Sequence, residues 1–296
     1  MLPNFLGIGA PKCGTTWLAA CLGEHPDVHV APVKETNFLH YEHIDGRLAE
    51  YEKHFEAAGP RRAVGEISVR YLASPRAPQR VRELLPRARL FVSLRNPVEQ
   101  IYSNYWHLQR QGFHDPALRG TLSLEQALER YAPILLEPAR YGRQLEQWTQ
   151  RFPREQLQVI LFDDIRARPE AVMAQLYRHL GVDPEFAPPS LRRRDSDTRA
   201  GTSPRGPLSD RVYRNLYGAL VRRAYTPLKR LLGVRRAAML KDRLRVRQML
   251  ERTFRRAGYP PLARQQRQHL LGLLREDITV LEALTGRSLR TWSAAP

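Results

Sequence analysis

From Gly9 to Thr16 the chain reads Gly-Ala-Pro-Lys-Cys-Gly-Thr-Thr, two glycines separated by four residues and followed by two hydroxyl side chains. Glycines at this spacing let backbone N–H groups face an anion at the start of a helix, where uncapped amides and the helix dipole favour phosphate. Thr15 and Thr16 add hydroxyl donors, Cys13 and Gly14 complete the turn, and Lys12 supplies a counter-charge from inside it. The chemistry is that of a phosphate held by charge and backbone amides. Nucleotide hydrolases carry a lysine directly after the second glycine, where this chain has Thr15. A strand-to-helix turn without a ligand is the competing explanation of the same spacing.

The charge balance also favours anions: 48 Lys and Arg against 30 Asp and Glu leave +18. Between Leu208 and Arg256 fifteen basic residues face only Asp210, Asp242 and Glu251, so that stretch carries +12 of the total. A solvated arginine-rich face, an acidic acceptor, a membrane surface and nucleic acid are all compatible with it. Other classes fall away. The two cysteines, Cys13 and Cys21, would lie about 12 Å apart on a helix, too far for a disulfide. Reduced thiols and a cytoplasmic setting are expected. No zinc-finger spacing and no His-Glu-x-x-His occurs, so no metal is expected. No stretch approaches the roughly 18 to 20 apolar residues of a membrane span.

The elements that must position the loop read as an α/β pattern. Short apolar runs at Asn4 to Gly9, Ala63 to Ile67, Leu90 to Leu94 and Leu157 to Phe162 predict strands. Helical spacing covers Thr16 to Leu22, Pro97 to Gln109, Tyr141 to Arg151 and Leu262 to Leu284. Strands separated by helices predict a central parallel sheet in a three-layer sandwich, with its ligand at the carboxyl ends of the strands. A single domain over residues 1–296 is expected, with an α/β core at 4–183, a polar loop at 184–207 and a basic, helical, acceptor-side region at 208–296.

Pro11-Lys-Cys-Gly-Thr-Thr-Trp-Leu18 resembles the 5′-phosphosulfate loop of sulfotransferases that use 3′-phosphoadenosine 5′-phosphosulfate (PAPS), a family in which the displaced lysine is the normal arrangement. The likeness extends to Leu90-Phe-Val-Ser-Leu-Arg-Asn-Pro97 with Ser103, to Lys34-Glu-Thr-Asn-Phe38, and to Tyr141 to Trp148 leading into Leu157 to Phe162. It covers residues 4–183 well and the remainder loosely. It implies that Lys12 contacts the 5′-phosphate and the bridging oxygen, and that Gly14, Thr15 and Thr16 cradle that phosphate. Trp17 would stack on adenine or pack in the core. Arg95, a planar fork suited to bidentate phosphate binding, and Ser103 would hold the 3′-phosphate. Thr202-Ser203-Pro204-Arg205-Gly206 falls where the family closes a loop over that phosphate, which makes Ser203, Arg205 and Gly206 candidates. The resemblance is to the soluble bacterial type, near the glycan and heparan-sulfate branch.

Sulfuryl transfer needs a base for the acceptor's proton and cations for the leaving oxygen. Glu66, at the end of Ala63-Val-Gly-Glu-Ile, is the expected base, with Lys12 and Lys34 as the cations; an ion pair of Glu66 with these lysines is the alternative. His40, and after it His107, stand in reserve. The expected product is 3′-phosphoadenosine 5′-phosphate (PAP), and the acceptor a small molecule, lipid or glycan. The basic stretch around Leu216, Leu220, Leu228, Leu231 and Leu232 fits an anionic acceptor, or equally a partner or homodimer face. Two rival readings remain. A P-loop kinase or nucleotide hydrolase would use Asp163-Asp164 to hold Mg²⁺. A nucleic-acid-binding protein would explain the charge, but aromatics are not interleaved with the basic run and no DNA-binding motif is present, so no nucleic acid is expected.

Overall fold

The computed structural model describes residues 1–113, 121–192, 202–204, 212 and 255–293. The chain forms two compact units, one of 1–105, 123–194 and 262–296, the other of 106–122 and 195–261. The first is built on five parallel strands: β1 (Phe5–Gly9), β2 (Val28–Val30), β3 (Ala63–Ile67), β4 (Arg89–Leu94) and β5 (Leu157–Leu161). Their order is β2-β3-β1-β4-β5. Register pairs Leu6 with Glu66 and with Leu90, and Leu94 with Leu161. This is the α/β sandwich expected, with β2 added. Val28–Val30 is too short to show an alternation, so its strand exists only through pairing with β3.

Both faces of the sheet are covered. Phe5, Ile67, Phe91 and Ile160 pack with Leu18, Cys21 and Leu22 of α1 (Thr15–Gly23) and with Met173, Leu176 and Tyr177 of a helix at Pro169–Leu180. The alternate residues Leu6, Ile8, Leu90, Val92 and Leu94 are equally buried. That two-sided burial is why these strands read as continuous apolar runs. Because all five strands run the same way, Gly9, Ile67, Leu94 and Leu161 finish at one edge, and the segments that follow them are neighbours there.

A long helix near the C-terminus, Arg264–Thr285, docks on Tyr141–Thr149. Its Asp277 carboxylate accepts hydrogen bonds from the amides of Gly142 (2.9 Å) and Arg143 (3.0 Å) at the start of that partner. In the second unit, Thr202–Pro204 pairs antiparallel with Arg255–Ala257, and the Trp106 and Tyr259 rings stack at 5.6 Å. Loop and helix were expected at those two segments. A three-residue ladder between partners fifty residues apart leaves no local periodicity to read.

Candidate functional site

The loop between β1 and α1 is shaped by backbone conformation. Lys12 (φ 65°) and Gly14 (φ 82°) are both left-handed, and a side chain at residue 14 would also lie 3.1 Å from the Phe162 ring. Gly14 is therefore demanded twice, by conformation and by space. No side chain caps α1, and the Trp17 and Leu18 amides donate to the Gly14 carbonyl at 3.0 and 3.1 Å, which leaves the Thr15 and Thr16 amides at the helix start as the candidates to meet an anion. Two neighbours fix the loop from β4 and the helix Pro97–Gln111 after it: the Ser93 hydroxyl donates to the Cys13 carbonyl at 2.6 Å, and Gln100 Nε2 to the Pro11 carbonyl at 3.2 Å. The Cys13 thiol lies 3.6 Å from the Tyr141 hydroxyl, and burial pushes it up to about 11. It stays protonated at neutral pH and can serve an anion only through its backbone.

Lys34 comes to this loop from the far side of β3. Its ammonium donates to Thr16 Oγ1 at 2.8 Å and pairs with Glu35 at 3.1 Å, the two side chains being 41% and 34% exposed. Sequence reasoning quoted the Lys-Glu pair but gave Glu35 no role. Glu66, by contrast, is 1% exposed. Its Oε1 accepts from Tyr51 (2.8 Å) and Tyr71 (2.6 Å), its Oε2 from Thr36 (2.7 Å) and Ser68 (2.7 Å). Four hydroxyls, not lysines, surround it, so the ion pair with Lys12 and Lys34 held open from sequence is not formed. Burial, and after it the charge of Glu66, raises both phenols well above their ordinary range.

Arg95 leaves the end of β4 with its guanidinium 5.0 Å over the Phe162 ring and 3.7 Å from Glu99. Ser103 is buried two turns into the following helix. Phe162 thus contacts the arginine and borders the space beside Gly14 at once, a bridge that strand-end position alone could not reveal. Beyond it, Asp163 accepts from the Trp292 indole at 2.9 Å. Asp164 bonds Arg168 (3.0 Å) and Arg287 (2.6 Å); burial pulls its carboxyl up, but those two arginines outweigh it and hold it below the usual range. Both aspartates are thus committed to protein donors, which counts against the Mg²⁺-holding role.

Trp17 belongs to the core, 7% exposed, with its indole donating to the Ser190 carbonyl at 3.1 Å. His40 sits on the turn after the Lys-Glu element; burial, then Arg70, Arg76 and Arg80, lower its proton affinity. His107 bonds Arg110 and Gln111. Ser203 lies in the short strand of the second unit, while Arg205, Gly206 and almost all of 208–256 fall outside the described residues. Among the described residues no cluster of His, Cys, Asp and Glu could hold a metal.

A profile of the sulfotransferase domain matches residues 2–195, about two thirds of the chain, from the Gly9–Thr16 loop through Lys34, Glu66, Arg95 and Ser103 to Phe162. The chain belongs to the sulfotransferase domain family. It is therefore an enzyme, a transferase of sulfuryl groups. This sulfotransferase is 30% identical over 201 residues to the bifunctional heparan sulfate N-deacetylase/N-sulfotransferase 2 of Mus musculus, covering 62% of this chain and 22% of that protein. Against the corresponding Drosophila melanogaster enzyme it is 28% identical over 209 residues. It thus spans about a fifth of the length of these curated relatives. A sulfotransferase of Alicyclobacillus acidocaldarius superposes with a TM-score of 0.69 at 25% identity, over 99% of this chain and all of that one. No helix among the described residues is long and apolar enough to cross a membrane.

Proposed function

We propose that this sulfotransferase moves a sulfuryl group from PAPS to an amine or hydroxyl of a glycan. The observation that carries the reading is the bond between Lys34 and Thr16, which brings a second lysine onto a phosphate-shaped loop that already contains Lys12. Two ammonium groups beside one phosphate are what a leaving PAP requires. The acceptor's nitrogen or oxygen attacks sulfur, the bond from sulfur to the 5′-phosphate oxygen breaks, and the acceptor's proton passes to a carboxylate. Lys12 and Lys34 stabilise the oxygen released, the amides of Gly14, Thr15 and Thr16 hold its phosphate, and Arg95 with Ser103 binds the 3′-phosphate. The heparan sulfate relatives support a glycan acceptor.

Two carboxylates compete for the proton. Glu66 is the one expected from sequence, but each of its oxygens already accepts two hydroxyls. Glu35 is a third exposed and adjoins Lys34, so its geometry favours it as the base.

Calorimetric titration with PAP and with ATP plus Mg²⁺ tests the donor assignment. PAP is expected to bind without metal, and Arg95→Ala to weaken it by at least about tenfold, the loss of a charge-assisted bidentate contact. A preference for ATP with Mg²⁺ would refute it.

A further inference from the structure

Glu66 has a use that a proton acceptor would not need. The strap that follows β2 carries two non-glycine residues in the left-handed region, Glu35 (φ 61°) and Asn37 (φ 51°), on either side of Thr36. Such backbone persists only where its surroundings over-determine it. Here the determinants converge on one carboxylate. Thr36 Oγ1 donates to Glu66 at 2.7 Å and accepts the Phe38 amide at 3.3 Å. The Asn37 amide donates to Ser68 Oγ at 3.0 Å, and Ser68 in turn donates to Glu66. The Leu39 amide donates to the Tyr71 hydroxyl at 3.3 Å, and Tyr71 to Glu66. Tyr51, the fourth donor, stacks on Phe38 of the strap with ring centroids 4.5 Å apart. Every hydroxyl on Glu66 therefore belongs to the strap or touches it.

We infer that Glu66 is a positioning residue, whose buried carboxylate locks the strap 34–39 through four hydroxyls and so delivers Lys34 and Glu35 to the phosphate loop. Glu66 sits on β3, paired with Leu6 of β1, so the anchor and the loop share one sheet. An ionised carboxylate offers acceptors only, which is what four converging O–H donors need; a glutamine would present an N–H₂ to two of them. The inference rests on the reading of the Gly9–Thr16 loop as the 5′-phosphate site.

The test compares PAP with adenosine 3′-phosphate, which lacks the 5′-phosphate. Their affinity ratio isolates the Lys34 end of the site, whereas a general loss of structure weakens both ligands together. Lys34→Ala is expected to cut the ratio by about tenfold, one charge-assisted contact. Thr36→Val and Glu66→Gln touch neither ligand and should each cut it by about threefold or more, with Thr36→Ser restoring it. Should Glu66→Gln fail to fold, the Thr36→Val and Thr36→Ser pair carries the comparison alone. A wild-type ratio in Thr36→Val and in any folded Glu66→Gln, with Lys34→Ala reduced, overturns the positioning role and leaves the donor site standing. If Lys34→Ala leaves the ratio unchanged while PAP still binds, Lys34 is not at the 5′-phosphate and the inference falls with that contact. No binding of PAP at all refutes the donor reading itself.

Discussion

A carboxylate that receives a proton needs a lone pair within reach of the acceptor, and on that criterion Glu35 and Glu66 part company. Glu66 spends its lone pairs on Thr36, Tyr51, Ser68 and Tyr71, whereas Glu35 meets Lys34 in a half-open position. Turnover read as PAP release from PAPS, with an N-desulfated heparan acceptor, separates them. Glu35→Gln is expected to lose at least about 100-fold in kcat, the usual worth of a general base, while keeping its preference for PAP over adenosine 3′-phosphate. Glu66→Gln should lose both together, because it releases the lysine as well as the glutamate. Undiminished turnover in Glu35→Gln would return the proton to Glu66 or to His40, whose lowered proton affinity keeps it neutral and able to accept.

Between elements, the C-terminal helix Arg264–Thr285 approaches Tyr141–Thr149 at backbone distance. A Cβ at Gly142 would stand 2.3 Å from the Asp277 carbonyl oxygen and 3.0 Å from Val280 Cβ, so the two backbones touch only because residue 142 has no side chain. Leu270, Leu274, Ile278 and Leu281 are buried along the same helix and cannot retreat without losing that burial. Gly142→Ala should cost about 3 kcal/mol of stability, the upper end for overpacking, read as a lower urea midpoint with an unchanged slope. An unaltered midpoint would mean that the helix shifts freely. The sequence showed both helices, since their apolar spacing is local, yet gave no hint that they pack on each other. The same divide runs through the site. Gly9, Lys12, Gly14 and Arg95 were legible because a loop between a strand and a helix, and an arginine at a strand end, are local patterns. Glu35, Tyr51, Tyr71 and Phe162 were not, because their roles arise from a left-handed strap and from contacts across the sheet.

Over the whole molecule the formal charge is +18 with the histidines counted as neutral, so added positive charge meets general repulsion. Of the nine histidines, His40 and His179 sit where burial makes the charged ring costly. His179 is half-buried with its ring nitrogen 2.9 Å from the Leu90 carbonyl; burial, and to a lesser extent Arg89, lowers its affinity for a proton despite that hydrogen bond. His40 is lowered in the same direction. With the folded value below the unfolded 6.5, the unfolded chain binds the proton more readily, so stability rises with pH across that window. The contribution is complete above about pH 6.5 and is lost as pH falls from there toward the folded value. Urea midpoints measured from pH 7.5 down to 5 should therefore decline. His179→Gln keeps a donor for the Leu90 carbonyl while removing that ring's titration, so its midpoints should decline less steeply, whatever general charge repulsion contributes to both proteins. Parallel declines would assign the loss to general repulsion, and 0.5 M salt, which screens surface charge far more than a buried ring, would then flatten both curves equally.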